Sequence, residues 1–198
     1  MRNAEKRNFI KNKRSFKMRI LPIKEISKIR EMLTVLEDKS DRDAMLFHLG
    51  VNCLLTITQL LELKYKDVFD LYRHVKTEII VKDRLIPITA EVRPRLIEYT
   101  ERWEMDGDDW LFPSYRTPTK ALTRAQAWRR LKKVAEELDI KYFSPRAMQK
   151  TFLYHIWIRT HDPKLMQKIT RKNTVGDALH YIGVTEMELS RLYGNYGI

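Results

Sequence analysis

One short stretch breaks the helical rhythm of this chain, and it constrains the fold more than any other feature. From residue 23 onward, apolar residues recur mostly at three- and four-residue steps, the spacing of amphipathic helices, but residues 78–88 depart from it. There Glu78-Ile79-Ile80-Val81 and Arg84-Leu85-Ile86-Pro87-Ile88 flank the polar pair Lys82-Asp83, the pattern of a β-hairpin. Pro87 lacks a ladder N–H, so it belongs at a strand end or sheet edge. The expected fold is mainly α (α+β), helical with one small antiparallel sheet. With 198 residues, 43% of them apolar, the chain can bury a real core and is not a disordered polymer. No apolar run approaches the roughly 18 residues needed to cross a bilayer, so no membrane partner is expected.

The remaining periodic segments suggest helix boundaries. Residues 23–36 read as a first helix, and Asp41 is expected to cap a second through Met45, Leu46, Leu49 and Val51. A buried third helix is expected over residues 58–63. Thr89 reads as the cap of a helix over residues 90–103, with Pro94 in its first turn. Thr123-Arg124-Ala125-Gln126 is a capping box, opening a helix with Trp128, Leu131, Val134 and Leu138 on one face. Ser144-Pro145 and Asp162-Pro163 start two more helices, and a last one is expected over residues 185–193.

Charge divides the chain in two. Residues 1–19 hold eight basic side chains against Glu5 alone, +7 of the formal +12, and form an expected basic arm ahead of a domain over residues 20–198. Lysines and arginines arranged this way displace counterions from phosphates, so a nucleic acid is the expected partner, with Lys13 and Arg14 among the contacts; the rival reading is a solvated tail. The arm lacks the apolar stretch of a secretory signal. Cys53 is the only cysteine, which excludes an intrachain disulfide and a cysteine-based zinc site and points to a reducing, cytoplasmic setting. No metal-ligand spacing, phosphate-binding glycine loop or nucleophile elbow occurs, and no cofactor or metal is expected.

Six segments follow one another in a telling order. They are Arg42-Asp43 with Leu46-Phe47 and Leu49-Gly50-Val51-Asn52; Ile57-Thr58-Gln59-Leu60-Leu61-Glu62-Leu63; and Lys76-Thr77. Leu111-Phe112-Pro113-Ser114, Lys150-Thr151-Phe152 and Tyr181-Ile182-Gly183-Val184-Thr185 complete the set. In this the chain, from about residue 21 on, resembles the catalytic domain of the tyrosine recombinase (phage integrase) family, as a short member with a degenerate site. The resemblance implies a mostly helical domain with a three-stranded sheet that clasps duplex DNA. It also implies cleavage by attack of a tyrosine on a backbone phosphate, helped by two arginines, a lysine and two histidine-type groups.

Matched residue by residue, the resemblance keeps Lys76 and places Tyr181 at the nucleophile position. The first arginine position holds Thr56, and the His-x-x-Arg segment holds Arg146 and Gln149. The later Gly-His pair holds Arg171-Lys172. Threonine and glutamine offer single uncharged donors where charge builds on a phosphate, and losing one preorganised donor costs about 10²–10³ in rate. Arg146 cannot give up a proton near neutral pH. Positive charge is moved rather than erased, because Lys76, Arg146, Lys172, Lys150 and Arg171 are expected around the same pocket. Tyr181 can also be read as a packing residue, and Lys82 lies close to Lys76.

The expectation is therefore a DNA-binding protein that has lost strand cleavage, a transcriptional regulator or repressor of phage or mobile-element origin. The alternative is an active site-specific recombinase or integrase using Tyr181, or a non-catalytic partner of one. Further DNA contacts are expected from Lys120, Arg124, Arg129, Arg130, Lys132 and Lys133; the rival reading of that helix is a solvated face balanced by Glu136 and Glu137. The residues ahead of the domain look too few for the family's extra N-terminal helical module. Residues 186–198, with Met187, Leu189, Leu192, Tyr193 and Tyr196, have the apolar content to pair two copies.

Overall fold

The computed structural model describes residues 20–194, so Lys13, Arg14 and the rest of the arm, like residues 195–198, lie outside the described residues. Helix α1 (Ile26–Lys39) starts three residues later than its periodicity predicts. Ile23 is diverted, its backbone N–H donating to Thr151 Oγ1 at 2.8 Å. Helix α2 (Asp41–Asn52) is capped by Ser40 rather than Asp41: the serine hydroxyl accepts from the Asp43 N–H. Asp41 instead pairs with Arg102.

Helix α3 (Ile57–Leu61) is shorter than expected and is capped by Thr56. A single further turn, α4 (Tyr65–Val68), has too few residues to show a period. Strands β1 (Glu78–Val81) and β2 (Arg84–Pro87) pair antiparallel with Ile79 opposite Ile86, as the hairpin pattern predicts. Both isoleucines are buried, while Ile80 and Leu85 face outward.

The sheet has two strands among the described residues, not the three that the resemblance implied. Between α4 and β1 only an isolated bridge forms, Phe69 with Val75. Asp70 Oδ1 explains this by accepting from the Tyr72 and His74 N–H groups, each at 2.8 Å, which folds the segment into a turn.

Helix α5 (Arg93–Arg102) also corrects the reading, because Thr89 does not cap it. Pro94 fits only a first turn, so the helix begins beside it, and residues 90–92 form a turn instead. Helix α6 (Arg124–Glu137) has both halves of its predicted capping box. Helices α7 (Pro145–Thr160) and α8 (Pro163–Thr170) start at the predicted prolines. They are followed by α9 (Val175–Ile182), which periodicity alone does not reveal, and α10 (Glu186–Gly194).

Two apolar clusters hold these elements. The larger surrounds α2, which is buried at every position from Arg42 to Val51. The smaller joins Leu153, Tyr154 and Trp157 of α7 to Met166 of α8, Ala178, Leu179 and Ile182 of α9, and Val184. Arg42 is fully buried, yet its guanidinium is satisfied: it grips Asp43 Oδ1 and donates to the Pro113 carbonyl at 2.7 Å. The Tyr115 ring covers it at 3.9 Å. Among the described residues no helix is long and apolar enough to cross a membrane.

Candidate nucleic-acid interface

Tyr181 occupies the last turn of α9. Thr174 caps that helix, accepting from the Asp177 N–H at 3.0 Å, and Gly183 ends it with φ 90. A side chain at Gly183 would place its Cβ 2.6 Å from Pro22, so the exit from the helix needs both the left-handed backbone and the missing Cβ. Helix α7 delivers Arg146 and Lys150 one turn apart. Arg171 adopts a left-handed conformation at the end of α8 and turns the chain so that Lys172 follows.

These elements bring three cations together. Lys150 Nζ and Lys172 Nζ each lie 4.7 Å from the centroid of the Tyr181 ring. With Arg171, Asn173, Asp177 and His180 they line an open cleft of about 510 Å³ around it. Lys150 also donates to the Ile20 carbonyl at 3.0 Å, which ties the start of the domain to the cleft wall. Burial holds the Tyr181 phenol above its ordinary value, opposed by the positive charge of Arg146. A half-buried cleft with this charge favours a phosphate, because partial desolvation strengthens each attraction.

Four of the expected positions stand apart from this cleft: Arg146 lines the neighbouring groove, and three others are engaged locally. Thr56 is spent on helix α3: its hydroxyl bonds to Gln59 Oε1 at 2.9 Å and accepts from the Gln59 N–H. Gln149 Nε2 turns to the Leu54 carbonyl at 3.4 Å. Lys76 Nζ donates to the Lys66 carbonyl at 2.7 Å. None of the three is among the residues that line the cleft.

The basic positions of α6 divide between two faces. Arg124 and Trp128 share a groove with Ile20, Ala125, Ser144, Pro145 and Arg146. Arg129, Arg130 and Lys133 line another with Arg42, Tyr115 and Arg116. Arg130 pairs with Asp43 at 3.2 Å and Lys132 with Glu136 at 3.1 Å, while Lys120 is exposed. Of the residues offered for pairing two copies, Leu189 and Leu192 pack on this chain's own smaller cluster, and Met187 is exposed.

Sequence reasoning missed Asn173, Asp177 and His180 at the cleft, Ile20 in the neighbouring groove, and Arg116 beside α6. The Thr174-Val175-Gly176-Asp177 cap was the available signal for α9, and hence for placing Asn173 and His180 beside Tyr181. Among the described residues no cluster of three or more metal-ligating side chains occurs.

A mainly helical domain with one hairpin, presenting a tyrosine under a ring of cations, has the build of a tyrosine recombinase catalytic domain. The Phage integrase family profile matches residues 19–186, and the chain belongs to that family. It is 32% identical over 179 residues to the probable integrase/recombinase YoeC of Bacillus subtilis (strain 168), covering 90% of this chain and 97% of YoeC. Solved structures agree on the fold. The XerA recombinase superposes with a TM-score of 0.71 at 19% identity, covering 92% of this chain and 66% of XerA. The XerH site-specific recombinase bound to palindromic difH substrate gives 0.66 at 19% identity, covering 88% of this chain and 51% of XerH. The chain thus spans two thirds or less of these two recombinases.

Proposed function

We propose that this protein is a site-specific DNA recombinase or integrase that works through Tyr181, acting on duplex DNA in the cytoplasm. The observation that carries the reading is the pair of ammonium groups 4.7 Å from the Tyr181 ring, in a cleft that also holds Arg171. The similarity to YoeC along almost its full length, and the DNA-bound state of XerH, support it.

In this reading the scissile phosphate sits against Lys150, Arg171 and Lys172, with Arg146 nearby. Tyr181 Oη forms a bond to phosphorus, the bond from phosphorus to one sugar oxygen breaks, and the phenol proton ends on that departing hydroxyl. The reverse step, with a new hydroxyl attacking the phosphotyrosine, joins strands. Positioning and electrostatic stabilisation dominate phosphoryl transfer, which is the work that clustered cations can do. Lys120, Arg124, Arg129, Lys133, Lys13 and Arg14 would add phosphate contacts along the duplex. A second copy on a neighbouring half-site would use residues 186–198.

A second reading, a DNA-binding regulator without cleavage, draws on a specific observation: Thr56 and Gln149 are engaged in local hydrogen bonds away from the cleft. One experiment separates the two. DNA that copurifies with the protein is sequenced, and its site is built into a nicked suicide substrate. The recombinase reading expects a covalent protein–DNA adduct that disappears in Tyr181→Phe. Tight, salt-sensitive binding with no adduct in the unaltered protein would instead establish the regulator. Because the Tyr181 phenol is held above its ordinary value, adduct formation should speed up as pH rises from about 7 towards 9.

A further inference from the structure

Beside the Tyr181 cleft lies a second groove, of about 590 Å³, whose apolar floor the strand-transfer chemistry does not use. Its walls are apolar and aromatic: Ile20, Ala125, Trp128 and Pro145. Its rim carries two guanidinium groups, Arg124 at the start of α6 and Arg146 at the start of α7. Both arginines are exposed.

We propose that this groove holds one unstacked nucleotide of the DNA substrate, its base against Trp128 and its phosphate between Arg124 and Arg146. The proposal rests on the DNA reading above and deepens it. An aromatic wall next to two planar cations matches a flat base joined to a phosphate, because bases stack on indole rings and guanidinium forks grip phosphate oxygens. A purely apolar peptide would leave both arginines unanswered.

Two further observations point to the same occupant. Ser144 lines the groove as the N-cap residue of the sixteen-residue helix α7, but its side chain makes no capping bond. Its Oγ is buried without a hydrogen-bond partner among the described residues. The Ser144 hydroxyl is therefore an unpaired polar group in the wall of the same groove as Arg146. The groove also adjoins the cleft. Ile20 lines it and receives the bond from Lys150, which lies over Tyr181, and Arg146 both lines it and acts on the Tyr181 phenol. A nucleotide displaced beside a scissile phosphate would find this groove within reach. Taking a base out of the stack there would hold the strand open around the cleavage point.

The test uses the full chain and a single-stranded tetranucleotide with 2-aminopurine as its first base, with and without a 5′-phosphate. Binding of the phosphorylated probe should change the 2-aminopurine emission. Trp128→Ala should weaken it about 10-fold, within the range for loss of one base–aromatic stack, while affinity for a fully paired duplex changes by less than about 2-fold. Trp128→Phe should restore most of the loss. Arg124→Gln should weaken the phosphorylated probe and leave the other unaffected. Equal affinities of the unaltered protein and a folded Trp128→Ala for the probe would overturn the proposal, as would indifference to the phosphate. Failure of the recombinase reading shows elsewhere, in the absence of a covalent adduct, and Tyr181→Phe should bind the tetranucleotide normally.

Discussion

The two apolar clusters are built on different terms. The larger one encloses α2 on every side and even absorbs a charged pair, Arg42 with Asp43, because each polar atom of the guanidinium finds a partner or a ring. The smaller one, eight buried residues from Leu153 to Val184, carries the helix that bears Tyr181. It is fastened by helix α7, which runs on into the larger cluster through Ala147 and Met148, and by polar cross-links to residues 20–24. The Ile23 N–H bonds to Thr151, its carbonyl to His155 at 3.1 Å, and Lys24 pairs with Glu188 at 2.7 Å. Glu188 also accepts from the Tyr154 hydroxyl at 2.6 Å. One helix thus joins the two clusters, and a few specific bonds pin the part that presents the cations to the start of the domain.

Three substitutions probe that contrast. Arg42→Met should have the largest effect, about 3–5 kcal/mol in chemical denaturation, because it strands a buried carboxylate. The Asp43 carboxylate then keeps only the half-exposed Arg130 among the described residues. The double variant Arg42→Met/Asp43→Leu should recover much of that loss, and no recovery would mean the ion pair is not what secures α2. Ile182→Ala should cost about 2–4 kcal/mol by opening a cavity in the smaller cluster. Hydrogen exchange should then rise in α9 and α10 before it rises in α2; a uniform rise would merge the two regions into one cooperative unit.

Glu188→Gln should have the smallest effect, about 1–3 kcal/mol, and its signature is pH dependence. Burial pushes the Glu188 carboxyl up, but bonds from Lys24, Tyr154 and Thr185 together outweigh it and hold it down at about 2. Its contribution is complete above its ordinary value near 4.5 and fades as pH falls towards about 2. His155 adds an earlier loss: burial favours its neutral form, so its share is present above about 6.5 and declines below. Thermal stability measured from pH 7 down to 3 should therefore fall less in Glu188→Gln than in the unaltered protein.

Much of the scaffold was legible because local chemistry decides it. The Thr123 capping box, the proline-led helices and the hairpin around Lys82-Asp83 each follow from a few neighbouring residues. The site was less legible because it depends on bonds between distant positions. Nothing around Ile20 announces that its carbonyl will meet Lys150, and α9 spans barely two turns, too short for a clear period. Tyr181 and its cations were placed by likeness to a family, and only the fold shows that Lys150 and Lys172 share its ring while Thr56 and Gln149 look elsewhere.

The Lys150 bond to Ile20 has a mechanical corollary. Tension applied to the polypeptide ahead of Ile20 reaches an ammonium group beside the tyrosine through a single link, with no intervening side chain to absorb it. Whatever grips that end of the protein holds a tether to the Tyr181 cleft.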